Sequence, residues 1–475
     1  MKMVSDEPST DNRSSLWPFL AGIMAGAAGT VLAQALLPRR GLDTRLLRAR
    51  PDDPDIPTTV IVPGILGSEL LRPDGTHVWL NFGNAVGSHD LTLPFTVPLC
   101  DSTDDLRPGG LLGVDTVLPR LFGFTEYSDL LELLDTAGFK RDQDPAAAGA
   151  AYRVFTYDWR RDLVESARRL ADVLDGLAED RKDPHARFNL VGHSMGGLVA
   201  RYYLRYGRAE PGGPVTWAGA KRVRYLALVA TPNGGSIPAL DSILTGSRVG
   251  LSYTTLSASV VARCPSVYQL LPPPGAPALL DHQGEPLTAD LHELSTWERY
   301  GWGPYAPARR RAGDVDERNG DLEAHLTFLG GALQRARAFH ESLARTTETP
   351  CPTHVIALGG DCLPTLARAV VPERRGAPPR FDPWTRTETH GMFEAGDGRV
   401  TRVSVLASHL PSSDDTETGS GLPEIAHAFF GSADHHGIYS EPTFQSVLLR
   451  LLLRPVRRPR AVVSKAERSE GLGVA

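Results

Sequence analysis

The stretch Phe188-Asn-Leu-Val-Gly-His-Ser-Met-Gly-Gly197 decides the fold of this chain. Its first four residues are typical of a short buried strand, and residues 196–206 have the spacing of a helix. Between the two, Gly192-His-Ser-Met-Gly196 matches GxSxG, whose glycines allow a sharp turn that exposes the serine hydroxyl. The segment therefore predicts a strand–turn–helix unit with Ser194 as a nucleophile at its tip.

Strand-like and helix-like segments alternate on both sides of this turn, which is typical of a mostly parallel sheet covered by helices. Together with the turn, the alternation predicts an α/β-hydrolase fold over residues 56–453. Residues 240–350, rich in Pro, Gly, Arg and Trp, break the alternation and are predicted to form an inserted cap. The segments concerned are strands at 58–63, 152–157, 188–191, 223–230 and 353–358, and helices at 163–177, 196–206 and 444–452.

The catalytic base is expected to be a histidine late in the chain, because this fold orders its triad as Ser, acid, His. The candidates are His409, His427, His435 and His436. His435 is favoured because it lies in a loop just before the last predicted helix, and His436 is the alternative.

The acid of the triad orients the histidine and stabilises its protonated form. Asp397, in Gly-Asp-Gly between the nucleophile turn and His435, is the favoured candidate. Asp361 directly follows a predicted strand and is its rival. One oxyanion-hole amide is expected from Met195, and the second from the loop at 63–67.

Composition excludes several other kinds of protein. The chain has 475 residues and a formal net charge of −6, which does not indicate nucleic acid binding. Its four cysteines form no CxxC pair, and their disulfide state stays open. The sequence contains no HExxH motif, phosphate-binding Walker loop or dinucleotide fingerprint. We therefore expect neither a metal nor an organic cofactor.

Both chain termini have an unusual composition. Residues 1–15 are polar and predicted to be disordered, 38–55 form a linker, and 454–475 form a basic disordered tail. Residues 16–37 carry no charged side chain and are long enough to cross a bilayer. We interpret them as a membrane anchor, favoured over a cleaved signal peptide, with the side of the membrane left open.

At the level of motifs, the chain resembles the lecithin:cholesterol acyltransferase family, which includes lysosomal phospholipase A and phospholipid:diacylglycerol acyltransferases. The resemblance implies Ser194, Asp397 and His435 as the triad, Ile65 and Met195 as the oxyanion amides, and a lid-proximal Trp79. Secreted members have two disulfides, but here Cys351 has no partner after the acid. The motifs that carry the resemblance are Val62-Pro-Gly-Ile-Leu-Gly-Ser-Glu-Leu70, Tyr157-Asp-Trp-Arg160, Gly192-His-Ser-Met-Gly-Gly197, Thr231-Pro-Asn-Gly-Gly235, Pro265-Ser-Val-Tyr-Gln-Leu-Leu-Pro272, Gly396-Asp-Gly398 and the late histidine.

These features predict a lipid acyl-ester hydrolase or O-acyltransferase that works through an acyl-serine intermediate. The alternatives are a soluble carboxylesterase acting on small esters and a catalytically silent lipid-binding protein. We expect a lipid substrate and contact with a membrane surface, and no protein partner is implied. Trp297 and Trp302 lie in an aromatic segment at 295–305, which is interpreted either as a lid at a membrane–water boundary or as an aromatic cluster packed under a loop. The acyl acceptor, whether water, a sterol or diacylglycerol, stays open.

Overall fold

The fold was derived from a computed structural model, which describes residues 56–79, 91–101, 104–112, 126–141, 150–249, 254–306, 319–382, 391–408 and 421–454. All of them belong to one structural unit, Leu42–Ala475. The predicted tail at 1–15, the linker at 38–55, His409 and all but the first residue of the tail at 454–475 lie outside the described residues.

A single large sheet organises the described part of the chain. Its seven strands are all parallel, in the order β16-β12-β8-β7-β1-β6-β5. In chain order the described strands are β1 Thr59–Val62, β2 Ser68–Leu71, β3 His77–Trp79, β4 Arg107–Leu111, β5 Lys140–Arg141, β6 Ala151–Val154, β7 Phe188–His193, β8 Val223–Val229, β9 Ser247–Val249, β10 Thr254–Leu256, β11 Leu279–Leu280, β12 His354–Gly360, β13 Leu363–Leu366, β14 Ala369–Val370, β15 Phe393–Gly396 and β16 Ile425–Gly431.

The central strands of this sheet are buried on both faces. In β1, all four residues are buried, and successive side chains point to opposite faces of the sheet. Val60 and Val62 accordingly join one apolar cluster, whereas Ile61 joins a second one. Leu228 and Val229 of β8 divide between the two clusters in the same way. Continuous apolar runs therefore form these strands because both faces are covered.

Helices cover the two faces. The first apolar cluster contains side chains of α2 and α3, and the second contains side chains of α1 and α10. A mostly parallel sheet with helices on both faces confirms the predicted α/β-hydrolase fold. In chain order the described helices are α1 Glu126–Thr136, α2 Leu163–Asp180, α3 Met195–Tyr206, α4 Ile237–Thr245, α5 Ala258–Val261, α6 Pro265–Tyr268, α7 Leu294–Tyr300, α8 Asn319–Ala344, α9 Arg402–Leu406 and α10 Pro442–Leu452, with short 3-10 helices at Leu99–Asp101, Ala218–Lys221, Gly303–Tyr305 and Ile438–Ser440.

The segments with the candidate residues follow strands of the large sheet or of the pair beside it. Strand β1 leads into the loop at 63–67, and β7 leads directly into Ser194. Strand β15, which pairs with β13 beside the sheet, ends immediately before Asp397. Strand β16 ends four residues before His435. Since carboxyl ends of parallel strands lie at one edge, residues distant in sequence meet there.

A buried ion cluster ties the helix after the nucleophile to the rest of the chain. Arg201 and Arg205, both on α3, lie 2.7 and 3.0 Å from the same carboxylate oxygen of Glu424. Their guanidinium groups also donate to the carbonyl oxygens of Leu343, within the end of α8, and of Arg345, just beyond it. Burial raises the pKa of Glu424, but the two arginines outweigh this effect, and the pKa lies below its usual value.

The predicted membrane association through residues 16–37 is wrong. Across the part of the chain that the structure describes, no helix combines the length and the apolar character that spanning a bilayer requires. Residues 16–37 themselves lie outside the described residues. The prediction rested on the length of this run and its lack of charged side chains, and neither property alone establishes a spanning helix.

We expect Glu424→Ala to destabilise the protein by about 3–5 kcal/mol, because two guanidinium groups would be left buried without their counter-ion. Urea unfolding followed by circular dichroism measures this change. Glu348→Ala is the matched control, because Glu348 is exposed and forms no ion pair with the described residues. Equal stability of the two variants would contradict a role of the cluster in holding α3.

Candidate active site

Ser194 lies at the tip of the turn between β7 and α3. Its φ is 50° and its ψ is −125°, a backbone conformation that residues with a side chain rarely adopt. The amide of Ser194 donates to the carbonyl oxygen of Val229 at 2.8 Å, which holds the turn against β8. Only 8% of Ser194 is exposed. The strained turn therefore presents the hydroxyl to a sheltered space rather than to open solvent.

Close packing explains the glycines of GxSxG. A Cβ atom at Gly196 would lie 2.2 Å from the carbonyl oxygen of Val62 and 2.3 Å from that of Pro63. At Gly192, a Cβ atom would lie 2.6 Å from the Cα atom of Gly197. The first turn of α3 therefore packs directly on the end of β1, at a distance that only glycine permits.

His435 and Asp397 complete a hydrogen-bonded chain with Ser194. The Nε2 atom of His435 is 3.0 Å from Oγ of Ser194, and its Nδ1 atom is 2.8 Å from Oδ2 of Asp397. The other oxygen of Asp397 accepts hydrogen bonds from the amides of Arg399 and Val400, at 2.9 and 2.7 Å. The structure thus brings together the three residues that the sequence analysis favoured.

Asp397 is held in its charged form. Only 1% of the residue is exposed, and burial by itself raises the pKa of this carboxyl. The interaction with His435 and the two backbone amides outweighs burial, so the pKa of Asp397 lies below its usual value. A carboxylate that stays ionised at neutral pH can orient the imidazole and stabilise the imidazolium.

The rival candidates occupy other places. Asp361 forms an ion pair with Arg402 at 3.0 Å, partly exposed. His436 is exposed at the wall of the cavity in front of Ser194, but its backbone amide faces Asp434. His427 lies within β16 itself. None of these side chains has a hydrogen bond to Ser194 among the contacts of the described residues.

The loop after β1 is held by aromatic side chains. The indole Nε1 of Trp79 donates to the carbonyl oxygen of Leu66 at 2.9 Å, and the hydroxyl of Tyr157 donates to that of Pro63 at 2.8 Å. Leu66 itself has a φ of 66°, so the loop turns sharply there. Ile65, between these anchor points, lies at the wall of the cavity in front of Ser194.

This loop lies directly over the nucleophile. A Cβ atom at Gly64 would come within 3.0 Å of Cβ of Ser194. Met195, the residue after the nucleophile, is the first residue of α3 and is buried. The first amides of a helix, including that of Met195, have no partner within the helix. The loop with Ile65 and the first turn of α3 are thus the two segments that flank Ser194.

A cavity of about 410 Å³ opens in front of Ser194. Cavities of this size bury small organic ligands. Most of its walls are apolar, and many come from the segment that follows β8. Burial raises the pKa of the Cys264 thiol in this wall to about 12, so it remains neutral. The apolar residues from this segment include Ala239, Leu256, Val260, Val261, Val267 and Leu270.

The predicted lid residues lie elsewhere. Trp297 is fully buried, donates through Nε1 to the carbonyl oxygen of Leu291 at 2.8 Å and packs edge-on against Trp302. Trp302 in turn stacks on Tyr300. Neither tryptophan lines the cavity, and neither does Trp79. The rings of Trp297 and Trp302 are covered by tertiary packing, which favours the aromatic cluster packed under a loop over the lid for the segment at 295–305.

The Tyr157-Asp-Trp-Arg160 motif has roles within the site that its sequence alone did not predict. Tyr157 holds the loop over Ser194, and Trp159 lines the cavity. Arg160 is completely buried and binds both carboxylate oxygens of Asp104, at 2.7 and 2.8 Å, as well as Asp158. The motif was a signal for the family but contained no local pattern that predicted these distant partners.

The described residues contain no cluster of His, Cys, Asp or Glu side chains able to hold a metal ion. None of the four cysteines forms a disulfide bond with another described cysteine.

A parallel sheet with a serine at a glycine-flanked turn, followed in sequence by an acid and a histidine, defines an α/β-hydrolase fold. Residues 102–294 match the model of the family described as Lecithin:cholesterol acyltransferase, which confirms the resemblance predicted from the sequence. No curated relative matches the chain.

Several solved structures are similar to the chain. The Tle4–Tli4 complex shares 16% sequence identity at a TM-score of 0.49, covering 83% of this chain and 98% of the other. The mature lipase BlEst2 from Bacillus licheniformis shares 13% at a TM-score of 0.34, covering 84% and 93%. Phospholipase PlaB from Legionella pneumophila shares 14% at a TM-score of 0.25, covering 64% and 39%. At these similarities, function has to be argued from the site itself.

We expect Gly196→Ala to destabilise the protein by at least about 1–3 kcal/mol, because the added methyl group would overlap the carbonyl oxygens of Val62 and Pro63. Gly176→Ala is the matched control. Gly176 lies inside α2 with no atom near its missing Cβ, so alanine should stabilise the helix by up to about 1 kcal/mol. Urea unfolding of both variants tests the argument, and a shift in the same direction would contradict it.

Proposed function

We propose that this protein is an acyl-ester hydrolase or O-acyltransferase that acts on lipids through an acyl-serine intermediate. The observation that carries the proposal is the hydrogen-bonded chain from Ser194 through His435 to Asp397, which faces an apolar cavity of about 410 Å³. The family match over residues 102–294 supports the same general activity.

In the first half of the reaction, Oγ of Ser194 attacks the ester carbonyl carbon while its proton moves to Nε2 of His435. The π electrons of the carbonyl bond move to its oxygen, which becomes an oxyanion. The carbon–oxygen bond to the leaving alcohol then breaks, and the proton on His435 passes to the departing oxygen. Ser194 is left acylated. The 3.0 Å separation between Oγ and Nε2 suits direct proton transfer.

In the second half, water or an acceptor alcohol attacks the acyl-serine carbonyl. His435 accepts the proton of the incoming hydroxyl and returns it to Oγ of Ser194 when the acyl–serine bond breaks. The product is a fatty acid if water attacks and a new ester if an alcohol attacks. Throughout, the negative charge of Asp397 stabilises the imidazolium form of His435.

The amides of Ile65 and Met195 serve as the oxyanion hole in this proposal. They flank Ser194 from the loop after β1 and from the first turn of α3. The amino end of α3 adds a partial positive charge at the same point. Donors fixed before the reaction stabilise the developing charge without rearrangement, which is their main contribution to rate.

The proposed lipid substrate rests on the apolar cavity wall. Side chains of the segment from α4 to α6, which follows β8, form one wall of the cavity. An acyl chain would leave water there and gain about 0.8 kcal/mol for each methylene that becomes buried. We assign this part of the predicted 240–350 cap to acyl-chain binding, and we assign no such role to Trp297 or Trp302. Incubation with a labelled phospholipid and candidate alcohols, followed by identification of the acylated product, tests substrate and acceptor together.

Ser194→Ala should lower kcat by roughly four orders of magnitude or more, because no other group can form the acyl intermediate. Hydrolysis of a p-nitrophenyl ester measures turnover, and a fluorophosphonate probe with mass spectrometry identifies the labelled residue. Ser295→Ala, at an exposed serine of α7, is the control and should keep wild-type turnover. Label on a residue other than Ser194, or full activity of Ser194→Ala, would falsify the proposal.

Asp397→Asn should lower kcat by about 10⁴-fold, because the amide preserves the shape of the side chain but cannot stabilise an imidazolium. Asp361→Asn is the matched control, since the same substitution there removes only a partly exposed ion pair with Arg402. The comparison of kcat between these two variants decides which aspartate is the acid. A greater loss in Asp361→Asn would reverse the assignment.

A further inference from the structure

Tyr127, on α1, lies where three parts of the candidate site meet. Its phenolic oxygen is 2.7 Å from the backbone nitrogen of Gly64 and 2.9 Å from Nδ1 of His193. The opposite ring nitrogen of His193, Nε2, is 3.4 Å from the backbone oxygen of His435. Tyr127 and His193 are both buried. A single chain of polar contacts therefore links the loop over the nucleophile to the loop of the base.

The chemistry of the end groups assigns the protons in this chain. The amide of Gly64 can only donate, so the oxygen of Tyr127 accepts there. The hydroxyl proton is then available for Nδ1 of His193, which acts as an acceptor. The imidazole consequently carries its proton on Nε2, where it faces the carbonyl oxygen of His435. This tautomer gives each ring nitrogen of His193 a complementary partner, Tyr127 at Nδ1 and the backbone oxygen of His435 at Nε2.

Gly64 connects this series of polar contacts to the proposed oxyanion-hole loop. It directly precedes Ile65, and a Cβ atom at Gly64 would lie 3.0 Å from Cβ of Ser194 and 3.5 Å from Nδ1 of His193. An amide in this loop has to lie within hydrogen-bond distance of the oxyanion, and a displacement of about 1 Å lowers a rate by about 100-fold. The hydroxyl of Tyr127 anchors the loop at the residue before the proposed donor.

We propose that Tyr127 is a positioning residue that holds the oxyanion-hole loop and, through His193, keeps it in register with the loop that carries His435. This inference rests on the proposed acyl-serine function. Tyr127 lines the cavity in front of Ser194, but its hydroxyl contacts Gly64 and His193. Its effect is on the transition state, in which the oxyanion exists, rather than on binding of the ester.

Tyr127→Phe tests the inference, because it keeps the ring and removes only the hydroxyl. We expect kcat for a p-nitrophenyl ester to fall tenfold to 100-fold while KM changes by less than about threefold. Tyr152→Phe is the matched control. Tyr152 packs in the same apolar cluster as Tyr127, but its hydroxyl donates to Asp135 at 2.9 Å, so the control should keep wild-type kcat.

A second measurement separates positioning from general weakening of the fold. A trifluoromethyl ketone adds to Oγ of Ser194 and forms a charged hemiketal oxygen, whereas the matching alkyl methyl ketone binds mainly without addition. Tyr127→Phe should weaken inhibition by the trifluoromethyl ketone by the same factor as kcat and leave inhibition by the methyl ketone within about threefold. His193→Phe interrupts the same chain at its next member and should show the same selectivity. The double variant should be no worse than the more impaired single variant.

Wild-type kcat in Tyr127→Phe, or an equal loss of affinity for both ketones, would overturn the inference. If Tyr127→Phe fails to fold by circular dichroism, His193→Phe decides the question by the same two readouts. Additive losses of kcat in the double variant would also overturn the inference. If Tyr127 and His193 act through one series of contacts, the first substitution already removes its effect. A wild-type enzyme without Ser194-dependent turnover would instead overturn the proposed function, so the two failures are distinguishable.

Discussion

The contact between the first turn of α3 and the end of β1 is the constraint on which the site depends. Gly196 packs against the carbonyl oxygens of Val62 and Pro63 at a distance that leaves no space for a methyl group. This contact brings the loop after β1 over Ser194, and the same loop provides the wall that contains Ile65. The positive φ of Ser194 costs about 1–3 kcal/mol, which the surrounding packing has to offset. Nucleophile and oxyanion-hole loop are therefore placed by one piece of packing rather than by two independent ones.

The sequence predicted the parts of the site that have a local signature. The nucleophile turn joins an apolar run to a helical pattern, and a glycine-flanked aspartate and a loop histidine follow in the order that the fold requires. Short segments rich in apolar and β-branched residues also predicted the central strands, because strands buried on both faces need apolar side chains at successive positions. Ser194 and His435 then meet because β7 and β16 end at one edge of the large sheet, whereas Asp397 follows β15 of a separate two-stranded sheet.

The roles that sequence reasoning missed depend on contacts between distant segments. Tyr127 contacts Gly64 and His193, which are 63 and 66 residues away, and nothing in its neighbourhood marks it as part of a site. The indole rings of Trp297 and Trp302 are apolar with one polar N–H, which suits a lipid–water boundary, but tertiary packing buries them. The resemblance named Trp79, and only the structure shows that its indole holds the carbonyl oxygen of Leu66. Composition describes what a side chain prefers, whereas its position in the fold decides what it touches.

The long sequence separations within the candidate site have a consequence for the order in which its residues are synthesised. Ser194 and His435 are 241 residues apart, and His193 reaches the backbone of His435 across 242 residues. The base lies after β16 and only seven residues before α10, so it joins the site after nearly all of the fold has been synthesised. A growing chain that has already formed the β7–α3 turn still lacks both its acid and its base. In the proposed mechanism the reaction needs all three residues, so a partly folded chain without the β16–α10 segment would lack the complete site.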